Sequence, residues 1–316
     1  MINARSRRQF LKDTAVATGV ALYSSPILLA AADAVPPRMK LCLSPGAIGV
    51  KAPPRELVAL ALKHGFDAVE PPSDFLASLG AAELAEFRAA MKALAWGAAG
   101  FPVDFRGDDE KFRASLDDLL AKAAALKRAG VECVSTWLSP ASNDVSRAEN
   151  FQRHATRLRE SAKILRDHGL RLGLEYVGTP ALREGRKHPF IYNMRGTREL
   201  IAEIDTGNVG LVLDSWHWWI SGDTEQDIAA LTPRDIISVD LNDAPAGIPI
   251  EKQQDGRREL PAATGVIPVT KFLNGLRRIS YSGPVRAEPF NKPLNDMEDA
   301  AACAAVITAL RKAVAL

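Results

Sequence analysis

Four acidic residues follow a common pattern, in which each lies at or just beyond the end of a short apolar run that is typical of a β-strand. They are Glu175, Asp214, Asp240 and Glu288. Side chains alternate between the two faces of a strand, and the apolar neighbours of these acids occupy the face that a helix would cover. The acids therefore point inward. If the strands form one parallel barrel, the four carboxylates converge at its carboxyl-terminal end, where barrel enzymes build their sites.

Four converging carboxylates, called here the carboxylate cluster, cannot all stay ionised and unpaired in a partly dry cavity. One bound divalent cation would balance them, and an all-oxygen set favours Mn²⁺ or Mg²⁺ over Zn²⁺. An alternative is that some of these acids are exposed or pair with the inward-facing Arg171 and Arg286. The primary prediction is a metal site made of all four acids.

Candidate substrate contacts lie close to the cluster in sequence. His217 follows Asp214 by three residues, and Trp216 belongs to a group of three tryptophans that could cover a sugar ring. Glu70 lies within the second predicted strand. Two long connections, Gly178–Arg195 with His188 and Asp243–Gly265 with Arg258, are candidate lids.

Eight apolar runs alternate with helical patterns, which predicts an α/β protein with a single (β/α)8 TIM barrel over residues 39–316. An open doubly wound sheet usually has a glycine-rich turn after its first strand, and the loop here is only loosely of that kind. The runs are Lys40–Ser44, Ala68–Pro71, Ala95–Phe101, Cys133–Leu138, Leu172–Val177, Gly210–Ser215, Ile236–Asn242 and Val285–Phe290.

The amino terminus has the features of an export signal. Residues 1–34 contain Arg7 and Arg8 before a weakly apolar stretch that Pro26 interrupts, which predicts a twin-arginine signal peptide, and residues 35–38 form a linker. A membrane-spanning helix needs about 20 strongly apolar residues, so no stable membrane anchor is expected. We therefore expect a periplasmic or otherwise exported protein.

Composition narrows the classes of partner. The 316 residues are 47% hydrophobic and 25% charged, as in a globular protein, and the formal charge of +2 lies within residues 1–34. The remaining chain is neutral, which disfavours nucleic acid as a partner and favours a small molecule. The three cysteines are widely spaced and are interpreted as small buried residues.

Around the predicted strand ends, the chain resembles the sugar phosphate isomerase/epimerase superfamily, the xylose isomerase-like barrels. The resemblance rests on Gly173–Glu175, Asp214–His217, Val239–Asp243, Arg258–Pro261 and Ala287–Phe290, in this order. It implies acid/base roles for Glu175 and Glu288, a ligand role for Asp214, substrate contacts from His217 and Arg258, and a homo-oligomer. One departure is Asp240, which stands where the family usually has a metal-binding histidine.

The predicted activity is metal-dependent isomerisation or epimerisation of a ketose or keto-sugar through an enediolate, with Glu175 and Glu288 exchanging protons with the substrate. Two alternatives remain open from the residues. If a leaving group lies β to the carbonyl, the same enediolate would expel it, which would make the protein a lyase or dehydratase. A barrel that binds sugars without turnover is the other alternative.

Overall fold

The computed structural model describes residues 38–316, and all eight apolar runs contain strands within that range. The third run is divided into two short strands, so nine strands form the main sheet. In chain order the strands are β1 Lys40–Leu43, β2 Ala68–Val69, β3 Ala95–Trp96, β4 Ala99–Gly100, β5 Cys133–Leu138, β6 Ala141–Ser142, β7 Arg171–Tyr176, β8 His188–Pro189, β9 Val209–Asp214, β10 Ile236–Leu241 and β11 Pro284–Ala287. Of these, β6 and β8 form a separate ribbon.

The main sheet is parallel throughout and follows the order β3-β2-β1-β11-β10-β9-β7-β5-β4. Its two ends, β3 and β4, are consecutive in the chain and are joined by Gly97 and Ala98. The sheet therefore curls into a ring that closes through this covalent link. This arrangement confirms the predicted (β/α)8 barrel.

Helices follow most strands, and their apolar faces pack on the outside of the sheet. Local signals set several boundaries: Pro54 occupies the first turn of α1, and Ser146 with Glu149 forms a capping box at the start of α5. The helices are α1 Pro54–His64, α2 Ser73–Ser78, α3 Ala81–Met91, α4 Asp109–Ala129, α5 Arg147–Asp167, α6 Met194–Ile204, α7 Ser215–Ile220, α8 Glu225–Ala229, α9 Val269–Arg278, α10 Lys292–Asn295 and α11 Asp299–Val314.

The connection Asp243–Gly265 is closed at its base by one buried carboxylate. The two oxygens of Asp243 accept hydrogen bonds from the backbone N–H groups of Thr264, Gly265 and Ile267, at 2.7 to 3.0 Å. Asp243 also exchanges backbone hydrogen bonds with Glu259. These bonds fix both ends of the connection, so the segment between them is held over the carboxyl-terminal end of the barrel.

The predicted signal peptide and almost all of the linker lie outside the described residues. Among the helices of residues 38–316, none has both the length and the apolar character that crossing a bilayer requires. Of the three cysteines, Cys42 and Cys303 are buried, as predicted, whereas Cys133 is only half-buried.

Gly97 is expected to be essential to the closure of the barrel. A Cβ atom at this position would lie 2.7 Å from the Cys42 sulfur, whereas a Cβ at Gly100 would meet no atom within 4 Å. Gly97→Ala should lower the free energy of unfolding by about 1–3 kcal/mol, as overpacking typically does. Urea denaturation would measure this, with Gly100→Ala as the matched control. Adding Cys42→Ala to the Gly97→Ala variant should restore much of the lost stability. Equal stability of the Gly97→Ala and Gly100→Ala variants would contradict the explanation.

Candidate active site

The carboxylate cluster lies at the carboxyl-terminal end of four neighbouring strands. Glu175 belongs to β7, Asp214 ends β9, Asp240 belongs to β10, and Glu288 follows β11 directly. One oxygen from each of the four side chains can be chosen so that all lie within 4.8 Å of one another. The inward alternation predicted from the sequence therefore does bring the four acids together.

Two arginines lie among the acids and bind three of them. Arg258 donates from Nη1 to Asp214 Oδ2 at 2.7 Å and lies 3.4 Å from Glu288 Oε2. Arg286 binds Asp240 through two parallel contacts, Nε to Oδ1 at 2.5 Å and Nη2 to Oδ2 at 2.9 Å. The four acids and two guanidinium groups leave a formal charge of −2 when all are ionised.

The sequence left open the alternative that some of the acids pair with Arg286. In the structure, Asp240 forms this pair. Arg171, the other arginine considered, lies at the opposite end of its strand, where it donates to the backbone carbonyl of Arg234. Because a carboxylate oxygen has more than one lone pair, the contacts of Asp240 with Arg286 leave it able to bind a cation.

Burial changes the protonation of the two glutamates. It raises the pKa of Glu175 well above its ordinary value, and the neighbouring Glu288 raises it further. Burial, followed by the charge of Asp240, raises the pKa of Glu288 to about 8. For Arg258, burial would lower the pKa, but the facing carboxylates of Asp214 and Asp255 outweigh it and raise the pKa. In the absence of a cation, both glutamates therefore keep their protons to a higher pH than ordinary glutamates do.

The donor set fits a divalent cation. Glu175 Oε1 is buried and has no hydrogen-bond partner among the described residues. Oxygens on opposite sides of a bound ion are about 4.2 Å apart for Mg²⁺ and up to about 5.2 Å apart for Ca²⁺. The four ligand oxygens lie within 4.8 Å of one another, which is close enough for one ion to contact all of them. An unpaired buried oxygen beside three further carboxylates is the environment that such an ion stabilises.

His217 lies beside Glu175 but is uncharged. Burial lowers its pKa to about 3, and the positive charge of Arg258 lowers it further. Its Nε2 atom lies 3.8 Å from Glu175 Oε1 and 3.2 Å from Arg258 Nη2. Glu175, Asp214 and His217 form a second group with ligand geometry. The structure thus places His217 next to the carboxylate cluster, where its contact with a substrate remains a prediction.

Trp216 does not have the exposed ring that sugar stacking requires, which corrects the sequence-based prediction. The residues after Asp214 form helix α7 rather than a loop, because Asp214 accepts the backbone N–H of Trp216 at 2.6 Å and caps the helix. Trp216 is 0% exposed, and its indole N–H donates to Thr179. Its ring lies 5.3 Å from the Arg258 guanidinium carbon, so it supports that arginine.

The other two predicted contacts lie in different places. Glu70 is beside the cluster: it accepts a hydrogen bond from Ser44 and lies 3.5 Å from Arg286 Nη1. His188 lies in the antiparallel ribbon, opposite Ser142, and within residues 38–316 it forms no hydrogen bond or ion pair with the cluster. Its sequence position in a long loop did not show that this part of the loop pairs with the segment after β5 to form a ribbon.

Sequence reasoning missed two residues that position the cluster. Asp255 accepts from Arg258 Nη2 at 2.9 Å and from the Thr179 hydroxyl at 3.0 Å, so it links the two long connections. Asn242 donates to both oxygens of Asp214 at 3.0 Å and accepts the Glu288 backbone N–H at 3.0 Å. Asn242 lies two residues after Asp240, so strand alternation places it on the same inward side, which was the available signal. Nothing local distinguished Asp255 from other loop acids.

A parallel (β/α)8 barrel with inward acids at the ends of its strands defines a class of protein. Sequence comparison identifies the family within that class. The chain belongs to the xylose isomerase-like TIM barrel family, whose model matches residues 58–312.

Individual relatives agree with this. The chain is 24% identical over 260 residues to the inosose isomerase of Bacillus velezensis, covering 80% of this chain and 89% of that protein. It is 30% identical to a xylose isomerase domain protein from Alicyclobacillus acidocaldarius, with a TM-score of 0.77 over 88% of this chain and 98% of that one. A D-psicose 3-epimerase, solved in the presence of D-fructose, is 18% identical with a TM-score of 0.65 over 87% and 98%, which shows the shared fold alone.

Arg286 should control how tightly the cluster binds a cation. Arg286→Gln removes one positive charge from the cluster, so Mn²⁺ should bind about tenfold more tightly, equivalent to about 1.4 kcal/mol. The ion-free variant should have a lower Tm because Asp240 loses its partner. Electron paramagnetic resonance of free Mn²⁺ would measure the affinity.

Arg171→Gln is the matched control, because that arginine also points into the barrel but lies far from the acids; it should leave the affinity unchanged. Equal affinities of the Arg286→Gln variant and the wild type would contradict the charge argument.

Glu288 should make the ion-free protein less stable as the pH rises. Its folded-state pKa of about 8 exceeds the ordinary value, so the folded protein holds a proton that the unfolded chain has lost, and this stability disappears as the pH rises towards 8. Glu288→Gln stays neutral, so its Tm relative to the wild type should rise between about pH 5 and about pH 8.

Thermal unfolding with EDTA would test this, with the exposed Glu251→Gln as control. A constant difference in Tm between Glu288→Gln and the wild type would show that Glu288 is already ionised in the folded state.

Proposed function

We propose that the protein is a divalent-metal-dependent sugar isomerase or epimerase that acts on a ketose or keto-sugar through an enediolate. The observation that carries this proposal is the pair Glu175 and Glu288, two buried glutamates with raised pKa within one carboxylate cluster. Similarity to an inosose isomerase supports the reaction class.

In this proposal, one glutamate removes a proton and the other returns one. The ionised carboxylate takes the proton from the carbon next to the substrate carbonyl, and the electron pair of the broken C–H bond moves to the carbonyl oxygen. The protonated partner then supplies a proton to the opposite face of the same carbon, which gives the epimer. Delivery to the former carbonyl carbon gives the isomer, provided that the hydroxyl on the deprotonated carbon passes its proton to the former carbonyl oxygen.

Glu175, Asp214, Asp240 and Glu288 would hold the cation, and their oxygen donors suit Mn²⁺ or Mg²⁺. When bound, such an ion stabilises negative charge that develops on substrate oxygens. Arg258 keeps Asp214 and Glu288 in place through its contacts at 2.7 and 3.4 Å, and Asp255 holds Arg258. Arg258 and His217 are the nearest candidates to bind substrate hydroxyl groups.

Export to the periplasm by the twin-arginine route is also proposed, on the basis of Arg7 and Arg8 and the apolar stretch that follows them. An exported enzyme would meet free sugars and glycosides more often than phosphorylated metabolites. A keto-sugar or a keto-glycoside is therefore the favoured substrate class. A small carbohydrate remains the proposed partner, with a homo-oligomer as the state that the resemblance implies.

Deuterium exchange tests the proposed reaction. The full chain with Mg²⁺ in D₂O, incubated with free ketoses, 3-keto-sugars and keto-glycosides, should incorporate deuterium next to the carbonyl, as followed by NMR. Glu288→Gln and Glu175→Gln should each lower the exchange rate at least about 100-fold, since general acid/base groups contribute about 10² to 10⁴. EDTA should abolish exchange.

The exposed Glu251→Gln is the control and should keep the wild-type rate. The product identifies the reaction as epimerisation, isomerisation or β-elimination, the last of which would make the protein a lyase. If no substrate exchanges, the proposal is contradicted, and the alternative that remains is a barrel that binds sugars without turnover.

A further inference from the structure

A second cavity opens beside the strand that neighbours Glu175. It has a volume of about 460 Å³ and lies between the end of β5, the antiparallel ribbon and the first turns of α5. Its lining includes Arg106, Trp137, Asn143, Arg153 and His154. The volume falls in the range of about 300–1,000 Å³ that is usual for small-molecule sites.

Three buried polar atoms of this lining have no hydrogen-bond partner among the described residues: Arg106 Nε, Arg153 Nε and His154 Nε2. His154 is 2% exposed, and its Nδ1 lies 2.8 Å from the Asn150 carbonyl oxygen, to which it donates. Burial lowers the His154 pKa to about 4, so the ring is neutral and its Nε2 is an acceptor. An unpaired buried polar group costs about 1–3 kcal/mol, so these three groups in the residues around one cavity favour a polar ligand there. Each atom has less than 1 Å² of exposed surface, so the ligand would reach it through a small shift of the lining side chains.

Trp137 connects this cavity to the carboxylate cluster. It is 48% exposed, and the Arg106 guanidinium carbon lies 4.1 Å from the centre of its ring. Trp137 is the direct register partner of Glu175 on the neighbouring parallel strand, so both side chains point to the same side of the sheet. The indole therefore lies at the mouth of the barrel, with the cavity on one side and Glu175 on the next strand.

We propose that the substrate is a glycoside with two sugar rings, an inference that rests on the proposed function. The keto-sugar ring lies at the carboxylate cluster, and the second ring packs on Trp137 and extends into the cavity. An aromatic ring suits the apolar face of a sugar. Arg106, Arg153 and His154 line the cavity and supply polar groups for the hydroxyls of the second ring.

Equilibrium binding of unoxidised sugars tests the subsite without requiring turnover. Isothermal titration calorimetry of the full chain would compare D-glucose with cellobiose, maltose and gentiobiose. At least one disaccharide should bind about tenfold or more tightly than glucose. Trp137→Ala and Arg153→Met should each remove that advantage. Arg166→Met is the matched control, because Arg166 is exposed on the same helix and does not line the cavity; it should keep the advantage.

Equal affinity for glucose and for every disaccharide in the wild type would overturn the proposal, as would an advantage that survives both substitutions. These outcomes are distinct from failure of the proposed function. A disaccharide preference without deuterium exchange would retain the subsite and reject the enolisation chemistry. Exchange with keto-monosaccharides but no disaccharide preference would retain the chemistry and reject the subsite, whose polar atoms would then bind water.

Discussion

The repulsion among four buried carboxylates is the constraint on which the site depends. Their oxygens approach within 4.8 Å at the mouth of a barrel, and the strand ends that hold them cannot move apart without breaking the sheet. Two features reduce this repulsion: Arg258 and Arg286 pair with the acids, and burial raises the pKa of the two glutamates, which favours their protonated forms. The protonated glutamates are a reservoir of protons for acid/base chemistry, and the loss of those protons leaves a net negative charge that a divalent cation can balance.

The arginines can balance the acids only because residues outside the strands position them. Asp255 and the Trp216 ring hold Arg258 from two sides, and Asn242 orients Asp214 while accepting the Glu288 backbone N–H. The long connections are therefore part of the site. Polar groups buried in a low dielectric contribute most when every partner is satisfied, which explains why an unpartnered carboxylate oxygen on Glu175 is informative.

Much of the architecture could be predicted, because the alternation of apolar runs and helical patterns reports burial directly. The need for glycine at position 97, between β3 and β4, could not be predicted, since it depends on the close approach of Cys42 from another strand. Trp216 shows the same limit at the site. Its neighbours suggested an exposed loop, but the carboxylate of Asp214 caps a helix that turns the indole into the core.

The sequence by itself determined which acids face inward and at which end of the barrel they meet, because strand alternation and parallel topology follow from local pattern. Only the tertiary structure decided that Asp240 pairs with Arg286, that Asp255 holds Arg258, and that Trp137 lies between Glu175 and a polar cavity. These facts depend on distances between segments far apart in the chain and on the burial that shifts their protonation. Neither quantity is encoded in the spacing of residues along the chain.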